Sequence, residues 1–382
     1  MTTPIPAAVT PPLSLYIHVP WCVRKCPYCD FNSHAIQNEL PETAYLNALL
    51  EDLDQDLALT SGRSVETVFI GGGTPSLMSS DFYQKLFKGL RERMIFAEDA
   101  EITLEANPGT LEEGRFEAFH DAGINRLSIG VQSFNPAHLK ALGRIHDSTE
   151  AHRAIEAAKK AGFDNFNLDL MHGLPGQTPG EALDDLRSAM SHEPPHVSWY
   201  QLTLEPNTEF YSRPPDLPDD DLLWEIAQQG GDYLHQQGFH DYEVSAWSRE
   251  GKASRHNLNY WTFGDYMAIG AGGHGKISLS DGAIMRYWKT RQPDAYLNRI
   301  GSRTAGSEQI EADELPLEFL MNALRLRKGV DESLFFERTG LPLTSVAVQL
   351  QRLREDKLLV SDRLQATRLG QRYLNSLLER FL

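Results

Sequence analysis

The stretch Tyr16-Ile17-His18-Val19-Pro20-Trp21-Cys22-Val23-Arg24-Lys25-Cys26-Pro27-Tyr28-Cys29 decides how this chain is read. Its first residues end an apolar run, Leu13–Val19, that has the composition of a buried strand. The loop that follows carries cysteines in the spacing Cys-x3-Cys-x2-Cys, and these three are the only cysteines among 382 residues. So tight and odd a cluster is no disulfide framework, and it points to metal in a reducing compartment. Three thiolates can hold three irons of a [4Fe–4S] cube and leave the fourth iron open. Zinc is the rival reading, but a closed structural zinc site needs four ligands, so His18 or His34 would have to complete it.

Outward from this loop, strand-like runs recur at 66–70, 101–105, 126–129, 166–170 and 197–202. Amphipathic stretches with helix punctuation lie between them. Asn135 caps a predicted helix that has Pro136 at its first position and Gly143 just past its end. Ser148 or Thr149 opens another, which runs to Lys160 and stops at Gly162. Strand starts at least 25 residues apart leave room for a crossover helix each time. The pattern is successive βα units around a parallel sheet, hence a full or partial barrel.

Functional groups of βα barrels gather where the strands end. The second strand runs into Gly71-Gly72-Gly73-Thr74-Pro75, whose backbone can approach a ligand and present amides and carbonyls to it. Glu105 ends the third strand and is placed to accept hydrogen bonds from ribose hydroxyls, and Gln132 and Ser133 follow the fourth. Asp169 sits inside an apolar strand, where an unpaired charge is costly, and Arg144 is the expected partner for it.

Beyond Glu205 the pattern changes. Residues 206–218 read as an extended Pro-rich connection, 219–235 as a helix, and the chain is mixed to about residue 303. From about residue 313, helical stretches at 317–327, 331–339 and 344–356 lead to a short hairpin at 358–360 and a last helix, the order of a winged-helix module. Residues 313–382 carry eleven basic and ten acidic side chains, so the deficit of 53 acidic against 36 basic residues lies almost wholly before them. A net charge of −17 and a recognition helix in which Glu355 and Asp356 offset Arg352, Arg354 and Lys357 argue against nucleic acid as a partner. With 41% hydrophobic and 23% charged residues the composition is that of a globular chain. No apolar run approaches the roughly 20 residues that cross a bilayer. Residues 1–12 lack the basic and apolar regions of a signal peptide, and a cytoplasmic location is expected.

The opening string resembles the signature of the radical S-adenosylmethionine (SAM) superfamily, in which the third cysteine follows an aromatic residue, here Tyr28. The resemblance implies a partial (β/α)6 TIM-type barrel and a [4Fe–4S] cluster whose fourth iron is chelated by the methionine amine and carboxylate of SAM. It implies that Gly71-Gly72-Gly73 is a variant of the family's amine-binding stretch. Ile-Gly-Gly-Gly-Thr-Pro-Ser (70–76), Glu-Ala-Asn-Pro-Gly (105–109), Gly-Val-Gln-Ser-Phe (130–134), Leu-Gly-Arg-Ile-His (142–146) and Asp-Leu-Met-His-Gly-Leu-Pro (169–175) are similar to the oxygen-independent coproporphyrinogen III dehydrogenase group, and most of all to its haem-chaperone branch. On that resemblance Tyr16, Gly72, Gly73, Thr74, Glu105, Gln132, Arg144 and Asp169 take SAM-pocket positions, and Tyr28 takes the aromatic place beside the cluster. Two departures from the dehydrogenase pattern favour the chaperone branch. Phe31 stands where the dehydrogenase pattern Cys-x3-Cys-x2-Cys-x-Cys has its fourth cysteine, and only 21 residues precede Cys22, too few for its substrate-contacting arm.

His256-Asn257-Leu258-Asn259-Tyr260-Trp261 resembles the His-Asn-x-x-Tyr-Trp motif associated with haem in that branch. An imidazole can ligate haem iron, and Tyr260 and Trp261 offer flat apolar surface to a porphyrin. His172 and His274 are further candidates. The expected layout is a flexible N-terminus at 1–12, the barrel at 13–205, an extension bearing this motif at 206–312 and the winged-helix-like domain at 313–382. The expected function is a haem chaperone that binds cluster, SAM and haem. It would pass haem to acceptor proteins, respiratory-chain haem enzymes among them, with transient membrane contact. The alternative is radical decarboxylation of coproporphyrinogen III in haem biosynthesis.

Overall fold

The computed structural model describes residues 10–109 and 114–382, so residues 1–9 of the expected flexible N-terminus lie outside the described residues. Six parallel strands in chain order form the centre of the sheet: β1 (Leu13–Val19), β2 (Val65–Gly72), β3 (Phe96–Ala106), β4 (Arg126–Gln132), β5 (Phe166–His172) and β6 (His196–Gln201). Helices Glu42–Asp56, Ser80–Arg91, Phe116–Asp121, Ser148–Lys160 and Pro179–Met190 make the crossovers. Every residue of β4, and all but one of β1 and β5, is buried. Burial on both faces is why these segments read as mainly apolar runs.

The expected helix starts hold with one change. Asn135 caps Pro136–Ala141, its side chain accepting from the Ala137 amide. The helix at Ser148–Lys160 is capped by Asp147, not by Ser148 or Thr149. The Asp147 carboxylate accepts from Glu150 N–H and the Glu150 side chain returns the bond. A carboxylate capping box serves two orphan amides at once, so it outcompetes a hydroxyl one residue later.

The sheet grows at both edges. On the β6 side, β7 (His240–Asp241) and β8 (Ala246–Ser248) add antiparallel. On the β1 side, β9 (Asp265–Ile269) adds parallel, and β10 (His274–Ser278), β11 (Ile284–Lys289) and β12 (Thr304–Gln309) continue antiparallel, for twelve strands in one open sheet. A buried ion cluster locks this extension to the first crossover helix. Lys289 Nζ lies 2.6 Å from both Asp52 and Asp56, and the Tyr296 hydroxyl donates to Asp52 at 2.7 Å.

A second apolar core surrounds Phe319, Phe335, Leu350 and Phe381. It is built by helices Leu315–Ala323, Ser333–Thr339 and Ala347–Glu355. The expected hairpin reduces to two antiparallel bridges, Val330 to Leu364 and Leu359 to Ala366. The expected last helix is broken into Arg368–Arg372 and Leu374–Leu378. No helix of the described residues is long and apolar enough to cross a membrane.

Candidate functional site

The cysteine loop leaves β1 and is closed at its base, where Trp21–Cys22 pairs with His34–Ala35. Cys29 N–H bonds Cys26 C=O at 3.1 Å, and Ile36 N–H bonds Cys22 C=O at 2.9 Å. All three thiols are free, and all three line one cavity of about 530 Å³ over the ends of the parallel strands. Among the described residues no three His, Cys, Asp or Glu side chains are gathered to hold a single metal ion. Neither imidazole expected to complete a zinc site is free. His18 Nδ1 and Nε2 are engaged by the Tyr16 hydroxyl and the Asn32 carbonyl at 3.1 and 2.8 Å, and His34 Nε2 lies 3.3 Å from Asn32 Oδ1.

The thiols do fit a cluster that spreads its ligands over several irons, because polar partners already face them. Arg144 Nη1 is 3.8 Å from Cys26 Sγ and Ser33 Oγ is 3.7 Å from Cys29 Sγ. Burial pushes the Cys22 and Cys29 thiols up, and the Thr74 and Ser33 hydroxyls oppose that shift at Cys22. Donors of this kind orient thiolate ligands and tune the metal they hold.

Gly72, Gly73, Thr74, Glu105, Gln132, Arg144, Asp169 and Tyr28 line the same cavity, so the structure brings together the residues that the strand ends predicted. Tyr16 does not; it lines a neighbouring cavity. The glycine stretch differs from expectation in one respect. Its amides are spent inside the protein: Gly72 N–H on Glu105 Oε2 at 3.1 Å, and Gly73 and Thr74 N–H on the Val19 and Trp21 carbonyls at 2.7 Å. Glycine is required here by packing as well. A Cβ on Gly72, at φ +114°, would sit 2.5 Å from the His18 ring, and one on Gly73 2.5 Å from the Trp21 carbonyl oxygen.

Arg144 does not pair with Asp169. Its guanidinium bonds the Asn107 side chain and, at 2.7 Å, the Gly130 carbonyl, besides facing Cys26. Asp169 is held instead by neutral donors, Ser128 Oγ and Asn167 Nδ2, each at 2.8 Å. These donors only partly offset burial, which leaves the Asp169 carboxyl above its ordinary range. Burial, reinforced by the nearby Asp169 charge, pushes Glu105 up to about 8, so near neutrality this carboxyl keeps its proton and can donate as well as accept. Gln132 holds a left-handed φ of +68° while Tyr200 O–H donates to its Oε1 at 2.8 Å. A non-glycine residue at such an angle is strained, and the Tyr200 bond helps to hold it.

Asn107 and Tyr200 were not anticipated. Asn107 links Arg144 to Thr74, donating to the Thr74 hydroxyl at 3.0 Å, and it lies within the Glu-Ala-Asn-Pro-Gly stretch at a strand end. Tyr200 is the penultimate residue of the sixth strand, and that position was its only signal.

The haem-motif residues divide. Trp261 lines the cluster cavity, with a buried indole N–H that has no partner and Arg325 4.4 Å above its ring. Tyr260 lines the neighbouring cavity. His256 lines neither: it is buried, Nδ1 lies 2.7 Å from Thr67 Oγ1 and Nε2 3.2 Å from the Tyr260 hydroxyl. The helix Arg255–Trp261 turns the His256 ring onto β2, against Phe69, and both its ring nitrogens face hydroxyl groups. His172 also stays out of both cavities, its ring 4.3 Å from Trp199. His274 is exposed at the neighbouring cavity.

A three-thiol loop over the ends of a six-stranded parallel βα sheet, beside a cavity lined by strand-end carboxylates, defines the radical SAM class. Residues 16–189 match the Radical SAM superfamily and residues 310–373 the HemN C-terminal domain. Membership in that superfamily implies a [4Fe–4S] cluster and SAM. The fold is shared with a solved structure described as "Coproporphyrinogen III oxidase (HemN) from Escherichia coli is a Radical SAM enzyme", at a TM-score of 0.83 and 24% identity over 99% of this chain and 91% of that one. Heme chaperone HemW of Escherichia coli (strain K12) is 53% identical over 97% of this chain and 98% of its own length. Heme chaperone HemW of Haemophilus influenzae is 50% identical over 97% and 98%. The chain belongs to the HemW family of radical SAM proteins.

Proposed function

We propose that this protein is a haem chaperone: it binds a [4Fe–4S] cluster, SAM and haem, and passes haem to acceptor proteins, respiratory-chain haem enzymes among them. The observation that carries the reading is full-length similarity to relatives named for haem chaperoning, at 53% identity over 97% of the chain. Cys22, Cys26 and Cys29 would hold the cluster, with SAM bound beside it in the same cavity. Bound together, cluster and SAM supply one-electron chemistry at the sulfonium. This chain's own groups bind and orient. Arg144, itself held by Asn107, faces the Cys26 sulfur, and the protonated Glu105 and the Asp169 carboxyl offer hydrogen bonds to hydroxyls of the ligand. Gln132, fixed by Tyr200, and the Gly72-Gly73-Thr74 backbone shape the pocket wall. Tyr28, its ring centroid 6.3 Å from that of Phe210, forms part of the cavity wall beside the cysteines.

Phe31 touches the cavity at the position where the dehydrogenase pattern has a further cysteine, which favours carriage over turnover. Tyr260 and Trp261 supply porphyrin-facing surface, the location is cytoplasmic, and membrane contact is transient. The test reconstitutes the cluster anaerobically and offers reductant, SAM and coproporphyrinogen III in one tube and haem in another. Haem retained with the porphyrinogen unchanged supports the proposal. A decarboxylated porphyrinogen would overturn it in favour of the dehydrogenase.

A further inference from the structure

The cavity beside the cluster cavity has a volume of about 510 Å³, within the roughly 300–1,000 Å³ range of small-molecule sites. The two are neighbours: Phe31, Gly72 and Glu105 line both. The second is the more aromatic. Tyr260 and Tyr266 meet edge to face with ring centroids 4.4 Å apart, and Phe31, 59% exposed, stands at its rim. A large exposed aromatic ring at the rim of a cavity is apolar surface awaiting a flat partner.

Three polar groups on this cavity have no side-chain partner among the described residues: His274, the first residue of β10, Arg291 and Asp30. His18 also reaches the cavity, but both its ring nitrogens are occupied. Arg286, the other guanidinium near His274, is held by Glu318 and Tyr266. Among the described residues His274 is thus the imidazole on this cavity with a nitrogen to spare, and Arg291 is its guanidinium. Partial burial and the two neighbouring guanidiniums hold the His274 ring below its ordinary value, so it is neutral near pH 7 and its lone pair is available.

We propose, on the reading of this chain as a haem carrier, that haem occupies this second cavity with His274 as axial ligand to its iron, the macrocycle against Tyr260, Tyr266 and Phe31 and a propionate on Arg291. A neutral imidazole is a standard axial ligand for haem iron. A guanidinium grips a carboxylate through two parallel N–H donors. The cargo then lies alongside the SAM cavity, with Glu105 and Gly72 as the shared wall. The motif that suggested His256 contributes Tyr260 to the site, while His256 holds Tyr260 in place through its 3.2 Å hydrogen bond.

The experiment titrates haemin into the full chain with its cluster reconstituted, following the Soret band and the electron paramagnetic resonance of the haem iron. His274→Ala is expected to weaken haem affinity at least about tenfold, since even outer-shell changes cost 10–100-fold at metal sites. His274→Cys is expected to bind haem with a thiolate-ligated spectrum, a signature that a merely structural role would not produce. Arg291→Ala is expected to weaken affinity about fivefold with the iron spectrum unchanged, the loss of one charge-assisted contact. Wild-type affinity and spectrum in both His274 variants would overturn the assignment while leaving the carrier reading intact. A wild-type protein that takes up no haem would overturn the carrier reading, and the assignment with it.

Discussion

Replacing Glu105 by Gln isolates the carboxyl that forms the wall between the two cavities. In the folded protein burial and the Asp169 charge push Glu105 up to about 8 from an ordinary 4.5. An acid whose folded value is raised favours folding most at low pH, and that advantage is lost as pH climbs from the unfolded value toward the folded one. At pH 7 folding must keep a proton that the unfolded chain has released. One pKa unit is 1.36 kcal/mol, so the 2.5 units from 4.5 to pH 7 cost about 3 kcal/mol. The side chain is half-buried and borders two cavities, and water reaching it makes that figure an upper bound. Gln keeps an oxygen for the Gly72 N–H, now 3.1 Å from Oε2, and carries no charge. Glu105→Gln is therefore expected to be the more stable protein at pH 7, by up to about 3 kcal/mol, and by only about 1 kcal/mol at pH 5. Urea unfolding of both proteins at the two pH values measures the difference. A gap between them that does not grow with pH would refute the protonated-carboxyl account.

Three further changes test neighbouring parts of the structure. Lys289→Met leaves Asp52 and Asp56 buried without their 2.6 Å partner, so urea unfolding is expected to show a loss of about 3–5 kcal/mol. Gly72→Ala forces a Cβ against the His18 ring at φ +114° and is expected to cost at least about 1–3 kcal/mol by the same measurement, with weaker SAM binding by calorimetry. His256→Ala removes hydrogen bonds to Thr67 and Tyr260, so it is expected to cost about 1–3 kcal/mol of stability and to leave the haem stoichiometry of the folded protein unchanged.

The six central strands were legible because parallel strands covered on both faces are mainly apolar, and β1 to β6 each carry a short, mainly apolar or β-branched stretch. The extension β9 to β12 was not. Lys276 and Lys289 interrupt its hydrophobic pattern, yet both are fully buried, paired with Asp265 and with Asp52 and Asp56. A local reading places a lysine in solvent; only partners from distant segments make it a core residue. The candidate site divides in the same way. Spacing exposed Cys22, Cys26 and Cys29, strand ends exposed Glu105 and Gln132, and Asp169 stood out as a charge inside an apolar strand. The partners did not follow: Arg144 goes to Asn107 and Gly130, while Asp169 takes Ser128 and Asn167, choices set by neighbouring strands in the sheet. His256 was found by its motif, but the motif could not say that a helix capped by Ser254 would turn that ring toward Thr67.

Transfer of haem tests the central claim most directly. Haem-loaded protein with its cluster and SAM is mixed with a haem-depleted respiratory haem enzyme, and the absorbance of both partners is followed after they are separated. The account predicts that haem leaves this protein and appears in the acceptor in equal amount, faster than from the same concentration of free haem. Haem that stays bound, or reaches the acceptor no faster than free haem does, would contradict it.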